Sequence, residues 1–236
     1  MNAKKLSFLL LILVAVACTN HSTSSEQDEM RHWNNVLQQI NALLLENKAQ
    51  QTLDLAKQTL PEILESAEKN GTTDTLIYYA RKIFNACGNN YINTKQYKDG
   101  IDYMDSIGNH PLIREHCPHE LLSFKAGLNQ LYGNNPEAVR LAEDYLQLPV
   151  CTSANDFIRQ AEIISGVYMY SGNNLPKAIQ ILEKAIDVYR KGGNFPNMLR
   201  IMSRLGIYYH LSGEYEKAIA TNQEAIATYN DSIAPG

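Results

Sequence analysis

Leu199 to Asn230, LRIMSRLGIYYHLSGEYEKAIATNQEAIATYN, is the stretch on which the reading of the whole chain turns. Leu205, Gly206 and Tyr209 precede Gly213, and Tyr215, Ala218, Ala225 and Ile226 follow it. Apolar residues recur every three or four positions on both sides of Gly213, the mark of two amphipathic helices folded into a hairpin. Gly206 and Ala218 are small enough for the helices to approach closely, and the larger apolar residues fill the space between them. The unit recurs upstream. Ala138, Ala178 and Ala218 are spaced by 40, as are Val139, Ile179 and Ile219. Between the last two copies the match extends to Gly166/Gly206, Ala185/Ala225, Ile186/Ile226 and Tyr189/Tyr229. Agreement at one offset over so many positions reads as an internal repeat.

Leu205-Gly206-x-x-Tyr209 followed by Ala218 resembles the tetratricopeptide repeat, with Met202, Asn222 and Asn230 standing where that family has tryptophan, phenylalanine and proline. Phe84-x-x-Cys87-Gly88-x-x-Tyr91, then Tyr97-x-x-Gly100-x-x-x-Met104, carries the pattern again. The resemblance implies an all-α, right-handed superhelical array of about five antiparallel helix pairs over residues 28–236. The best copies are 159–191 and 199–230. Helical periodicity also covers Met30 to Asn47, Gln50 to Lys69 with Pro61 marking a kink or a break, and Thr73 to Asn93. It continues over Tyr97 to Ile107, Pro118 to Tyr132 and Pro136 to Leu148, while Asn109 to Pro118 reads as irregular.

The N-terminus reads as an address. Lys4 and Lys5 precede the apolar run Leu6 to Ala17, which is too short to cross a bilayer comfortably, so residues 1–17 read as a signal peptide. Ala15-Val16-Ala17-Cys18 resembles a bacterial lipobox, in which Cys18 is the lipidated residue. No aspartate follows Cys18, which by the same resemblance fits the outer membrane. Residues 18–27, rich in Ser and Thr, read as a flexible tether. The whole layout resembles tetratricopeptide-repeat lipoproteins of the Bacteroidetes type, anchored to the membrane by lipid.

The chain carries 21 basic and 25 acidic residues, with no basic cluster, which argues against a nucleic-acid partner. No phosphate-binding Gly-rich loop, G-x-S-x-G or H-E-x-x-H occurs, so no enzyme and no cofactor is expected. His110, His116, Cys117 and His119 fall close together, but one Cys-Pro-His without a second paired motif reads as loop polarity, and no metal is expected. Cys87 reads as a small packing residue. Cys117 and Cys151 precede successive repeats, where a disulfide requires their loops to converge.

The remaining candidates belong to a groove. Counting from the glycine of each first helix, its free face holds Lys82, Asn85, Asn89 and Asn93, then Gln160, Ile163, Val167 and Tyr170, then Arg200, Ser203, Arg204, Ile207 and His210. Amides can pair with the backbone of an extended peptide, and arginines can hold a carboxylate. Arg200 and Arg204 resemble the basic pair with which chaperone-binding adaptors grip a C-terminal carboxylate, but Ser123, Gly127 and Ile164 stand where that family needs lysine and asparagines. The expectation is a non-enzymatic, lipid-anchored scaffold for a protein or peptide partner. The alternative is the extracytoplasmic sensory module of a signalling receptor. No polar capping helix follows Asn230, so the last repeat is also expected to support self-association.

Overall fold

Five short turns set the architecture. In the computed structural model, which describes residues 24–149, 154–193 and 195–232, eleven helices follow one another. They are α1 (Ser24–Leu45), α2 (Ala49–Asn70), α3 (Asp74–Asn93), α4 (Tyr97–Ile107), α5 (Pro111–His116), α6 (Pro118–Tyr132), α7 (Asn135–Gln147), α8 (Ala154–Tyr170), α9 (Leu175–Gly192), α10 (Phe195–Leu211) and α11 (Tyr215–Ser232). Among the described residues there is no strand. The pairs α1/α2, α3/α4, α6/α7, α8/α9 and α10/α11 are each joined by a turn with one left-handed residue two positions before the second helix. These residues are Asn47, Lys95, Gly133, Asn173 and Gly213. In four of the turns the next N–H reaches back five residues to a carbonyl: Lys48 to Leu43, Gln96 to Tyr91, Asn134 to Asn129 and Glu214 to Tyr209. That is the bond that closes a helix whose following residue turns left-handed. At φ +96° and +81°, Gly133 and Gly213 take this conformation without the Cβ penalty that Lys95 bears at +60°.

The turns identify all five copies, including those whose residues have diverged. Successive left-handed residues are 48, 38, 40 and 40 positions apart, so the offset of 40 holds only in the rear half. One turn differs. Asn174 N–H reaches back six residues, to Tyr168, so the α8–α9 connection holds one extra residue. The first helices are therefore offset by 41: Tyr168 takes the place of Tyr209, and Ser165, rather than Gly166, that of Gly206.

Adjacent first helices pack at a small residue of one and a bulky residue of the next. A Cβ on Gly88 would lie 2.4 Å from the Phe124 ring, and one on Gly127 would lie 2.7 Å from Ile163. In α8 the corresponding residue is Gly166, and a Cβ there would have its nearest neighbour at 3.8 Å. Arg204 occupies the bulky residue's register in α10. The second helices carry their own small residues five positions after the turn: Thr52, Gly100, Ala138, Ala178 and Ala218, all buried. The interior is a continuous stack in which α6 is shared, with Phe124 and Leu128 in the front cluster and Ala126 in the rear one. Trp33 packs in the front cluster.

Three expectations change. The Asn109–Pro118 segment contains α5, started by Pro111 in its first turn and by the His110 ring, which accepts the Leu112 N–H at 3.2 Å. Pro61 neither breaks nor ends α2. Helix α1 begins at Ser24, inside the stretch read as tether, and Glu29 near its start accepts a hydrogen bond from the Ser66 hydroxyl at 3.1 Å, docking that end on α2. The leader, Cys18 and residues 18–23 lie outside the described residues.

The glycine contacts generate a paired prediction. Gly88→Ala forces the Phe124 ring to move and is expected to lower unfolding stability by about 1–3 kcal/mol. Gly166→Ala meets only the Gln130 amide oxygen, at an ordinary contact distance of 3.8 Å, and is expected to raise it by roughly 0.5–1 kcal/mol through helix propensity. Urea unfolding of the two variants checks this.

Candidate functional site

The first helices α1, α3, α6, α8 and α10 lie side by side in that order, each touching the next, and the free faces of the last four form one groove. Registered by their turns, these four helices contribute an exposed row of Asn93, Leu131, Tyr170 and Leu211. The row beside it is Asn89, Gly127, Gly166 and Ile207. Beside the two glycines lies a cleft of about 240 Å³ whose walls are Ile92, Leu131, Ile163 and Tyr170, with Gln130, Glu162 and Arg204 at its polar side. Leu131, Ile92, Gln130 and Glu162 were not among the sequence candidates. Their signal is distance from the turn: Leu131 stands two before Gly133, as Asn93 does before Lys95.

Most sequence candidates lie on this side, in two groups. Asn85 and Asn89 are half-buried and Asn93 is exposed along α3, the Asn89 Oδ1 being buried without a partner. Lys82 stands 5.6 Å from the Tyr78 ring centre. Tyr170, Ser203 and His210 are exposed, and the His210 ring lies edge-on to Tyr215 at 5.3 Å. Gln160 and Val167 are corrections. Both are buried, because the extra residue in the α8–α9 turn moves them into the register of Ile201 and Tyr208. Gln160 accepts a hydrogen bond from the Tyr145 hydroxyl at 3.1 Å and lines no groove.

Arg200 and Arg204 do not stand ready for a ligand's carboxylate. Arg200 pairs with the Glu162 carboxylate at 3.1 Å, and Arg204 donates to the Glu162 carbonyl at 3.1 Å. Glu162 is buried while Arg200 is half exposed, so the pair is a join between α8 and α10. Burial raises the Tyr208 hydroxyl above its ordinary pKa, and neighbouring Arg204 offsets part of that rise. A second join of this kind, Arg81 to buried Glu120 at 3.2 Å, ties α3 to α6, and Arg81 also donates to the His116 carbonyl at 2.5 Å.

The histidines around α5 are spent on structure. His110 caps α5 through Nδ1, and its Nε2 stands 3.1 Å from Glu68. His119 Nε2 lies 2.7 Å from the Pro149 carbonyl. Among the described residues no three His, Cys, Asp or Glu side chains converge to hold a metal ion. Cys117 is buried, and Cys151 lies outside the described residues. Cys87 is wholly buried, 3.8 Å from the Tyr103 hydroxyl, and burial pushes its thiol up to about 12. A thiol so placed is inert.

Residues 161–231 match the tetratricopeptide repeat family. No curated protein matches the sequence. Two crystal structures of a Podosopora anserina putative kinesin light chain with nearly identical TPR-like repeats, one of them a point variant, resemble the chain at 12% identity. The variant covers 85% of this chain and 96% of its own at a TM-score of 0.54. The other covers 86% and 98% at 0.54. A MamA segment from Desulfovibrio magneticus RS-1 is 14% identical, covering 87% of this chain and 98% of its own at 0.49. The fold is that of a TPR-like array of helix pairs.

Removing Arg200 leaves the buried Glu162 carboxylate without its partner. Arg200→Ala is expected to lower stability by about 1–3 kcal/mol. The double variant Arg200→Ala/Glu162→Leu is expected to recover most of that loss, and a double-mutant cycle of denaturation midpoints measures it.

Proposed function

We propose that this chain is a non-enzymatic, lipid-anchored scaffold at a bacterial cell envelope that holds a peptide or protein segment in the groove of α3, α6, α8 and α10. The observation that carries the reading is the row of large apolar side chains on the groove side, Leu131, Tyr170 and Leu211, which no described element covers. Beside them the amides of Asn85, Asn89, Asn93 and Gln130 can pair with peptide backbone. Near the cleft the Glu162 carboxylate is paired with Arg200 and the Arg204 guanidinium is held by the Glu162 carbonyl, so the exposed apolar row, rather than a free basic pair, is the main feature offered to a partner. The anchor rests on the sequence alone: Lys4, Lys5, the apolar run Leu6 to Ala17, and Cys18 after Ala15-Val16-Ala17. Among the described residues no helix is long and apolar enough to cross a membrane. Attachment is assigned to the lipid on Cys18, and the outer membrane is the proposed address.

Crosslinking in intact cells, followed by identification of the captured protein, tests the groove. Leu131→Glu/Tyr170→Glu changes two exposed residues and is expected to cut recovery of the partner by about tenfold or more while leaving helicity intact. Unchanged capture would remove the groove as the site. Separately, Cys18→Ser is expected to move the protein from the membrane fraction to the soluble fraction and to abolish incorporation of labelled palmitate.

A further inference from the structure

The outer face of α11 is unlike that of any earlier second helix. Tyr215, Ile219, Asn222, Ile226 and Tyr229 recur at spacings of four, three, four and three, so they form one straight seam. In α9 the equivalent seam is covered by the next pair: Ile179, Ile186 and Tyr189 are 7%, 6% and 0% exposed. Their counterparts Ile219, Ile226 and Tyr229 are 58%, 63% and 49% exposed. Among the described residues no helix covers this seam, although at its α10 margin the Asn222 amide lies over Gly206 and the His210 ring lies edge-on to Tyr215. A depression of about 500 Å³ runs beside it, lined by Gly206, Ile207 and His210 of α10 and by Tyr215, Ile219 and Asn222 of α11.

The order of the seam says what fits it. Tyr, Ile, Asn, Ile, Tyr reads the same in both directions about Asn222. A two-fold interface needs a patch that is complementary to its own rotated copy. Turned about an axis near Asn222, a second α11 sets Ile219 against the partner's Ile226 and Tyr215 against the partner's Tyr229, while the Asn222 amide stays over Gly206 of its own α10. Charge agrees with this arrangement. Lys217, Glu224 and Asp231 lie seven residues apart on the side of α11 away from the seam, where Lys217 stacks near the Tyr209 ring and Glu224 pairs with Arg190 at 2.7 Å. The positions flanking the seam are Ala218 and Ala225 on one side and Glu216, Gln223 and Asn230 on the other. In the antiparallel arrangement Glu216 faces the partner's Asn230, and no like charges meet.

We propose that the α11 seam is the interface of an antiparallel two-fold homodimer. The proposal does not rest on the function of the groove, although Ile207 and His210 border both surfaces.

The test compares sedimentation masses of the full chain in a mild detergent at tens of micromolar with those of variants at two exposed positions, far-UV circular dichroism confirming equal helicity. The unaltered chain is expected to be a dimer. Ile226→Glu sets a carboxylate against the partner's Ile219 twice, and self-association is expected to weaken by about a hundredfold or more. The double change Ile219→Lys/Ile226→Glu pairs each lysine with the partner's glutamate only if the helices run antiparallel, so it is expected to restore the dimer in a salt-sensitive form. A monomeric unaltered chain, a dimer indifferent to Ile226→Glu, or a double variant that stays monomeric would each overturn the proposal. Association through another segment, the apolar run Leu6 to Ala17 included, gives the second of these outcomes.

Discussion

The close approach of neighbouring first helices is the constraint on which the rest of the array depends. At Gly88 and Gly127 there is no room for even one methyl group, because Phe124 and Ile163 already stand in the space. Each contact fixes the distance between two repeats and the depth at which the next helix sits. Where the series reaches α8 and α10, the bulky apolar residue is replaced by Arg204, which bridges to the Glu162 carbonyl and leaves Gly166 uncovered. The groove's cleft lies beside that replacement, with Gly166 and Arg204 both in its lining.

The turns impose the second constraint. A left-handed residue two positions before each second helix, with a backbone bond reaching back across it, aligns the helices of a pair irrespective of their side chains. The copies can then diverge in sequence and in length while keeping one geometry. An added residue is tolerated in the α8–α9 turn, but it rotates α8 by one position relative to the turn. In a helix one position is about 100°, enough to carry a side chain from the groove into the interior. Gln160 and Val167 go inward for this reason.

Buried acids provide the polar part of the joins. Glu120 and Glu162 are withdrawn from water only because Arg81 and Arg200, on neighbouring first helices, meet them. Such pairs add little net stability compared with apolar packing, but an alternative register would strand a buried carboxylate. They pair the Glu162 and Arg200 charges, while Arg204 borders the cleft beside the apolar and amide side chains of Leu131, Tyr170 and Gln130. The seam on α11 carries no charge of its own: Lys217, Glu224 and Asp231 fall on the opposite side of the helix, and Glu216 flanks it.

The sequence by itself determined the all-α repeat, the hairpin unit, the five pairs and most helix limits. Each of these follows from local periodicity and turn chemistry, which neighbouring residues carry. It also placed Asn85, Asn89, Asn93, Tyr170, Ser203 and His210 on exposed or half-exposed surfaces, since single-helix periodicity suffices for that. Tertiary structure alone decided that Gln160 is interior, that Leu131 and Ile92 wall the cleft, and that Arg200 and Arg204 are held by Glu162. Those outcomes depend on rotation between helices, set by one turn residue and by contacts between residues some forty positions apart, which no local pattern records.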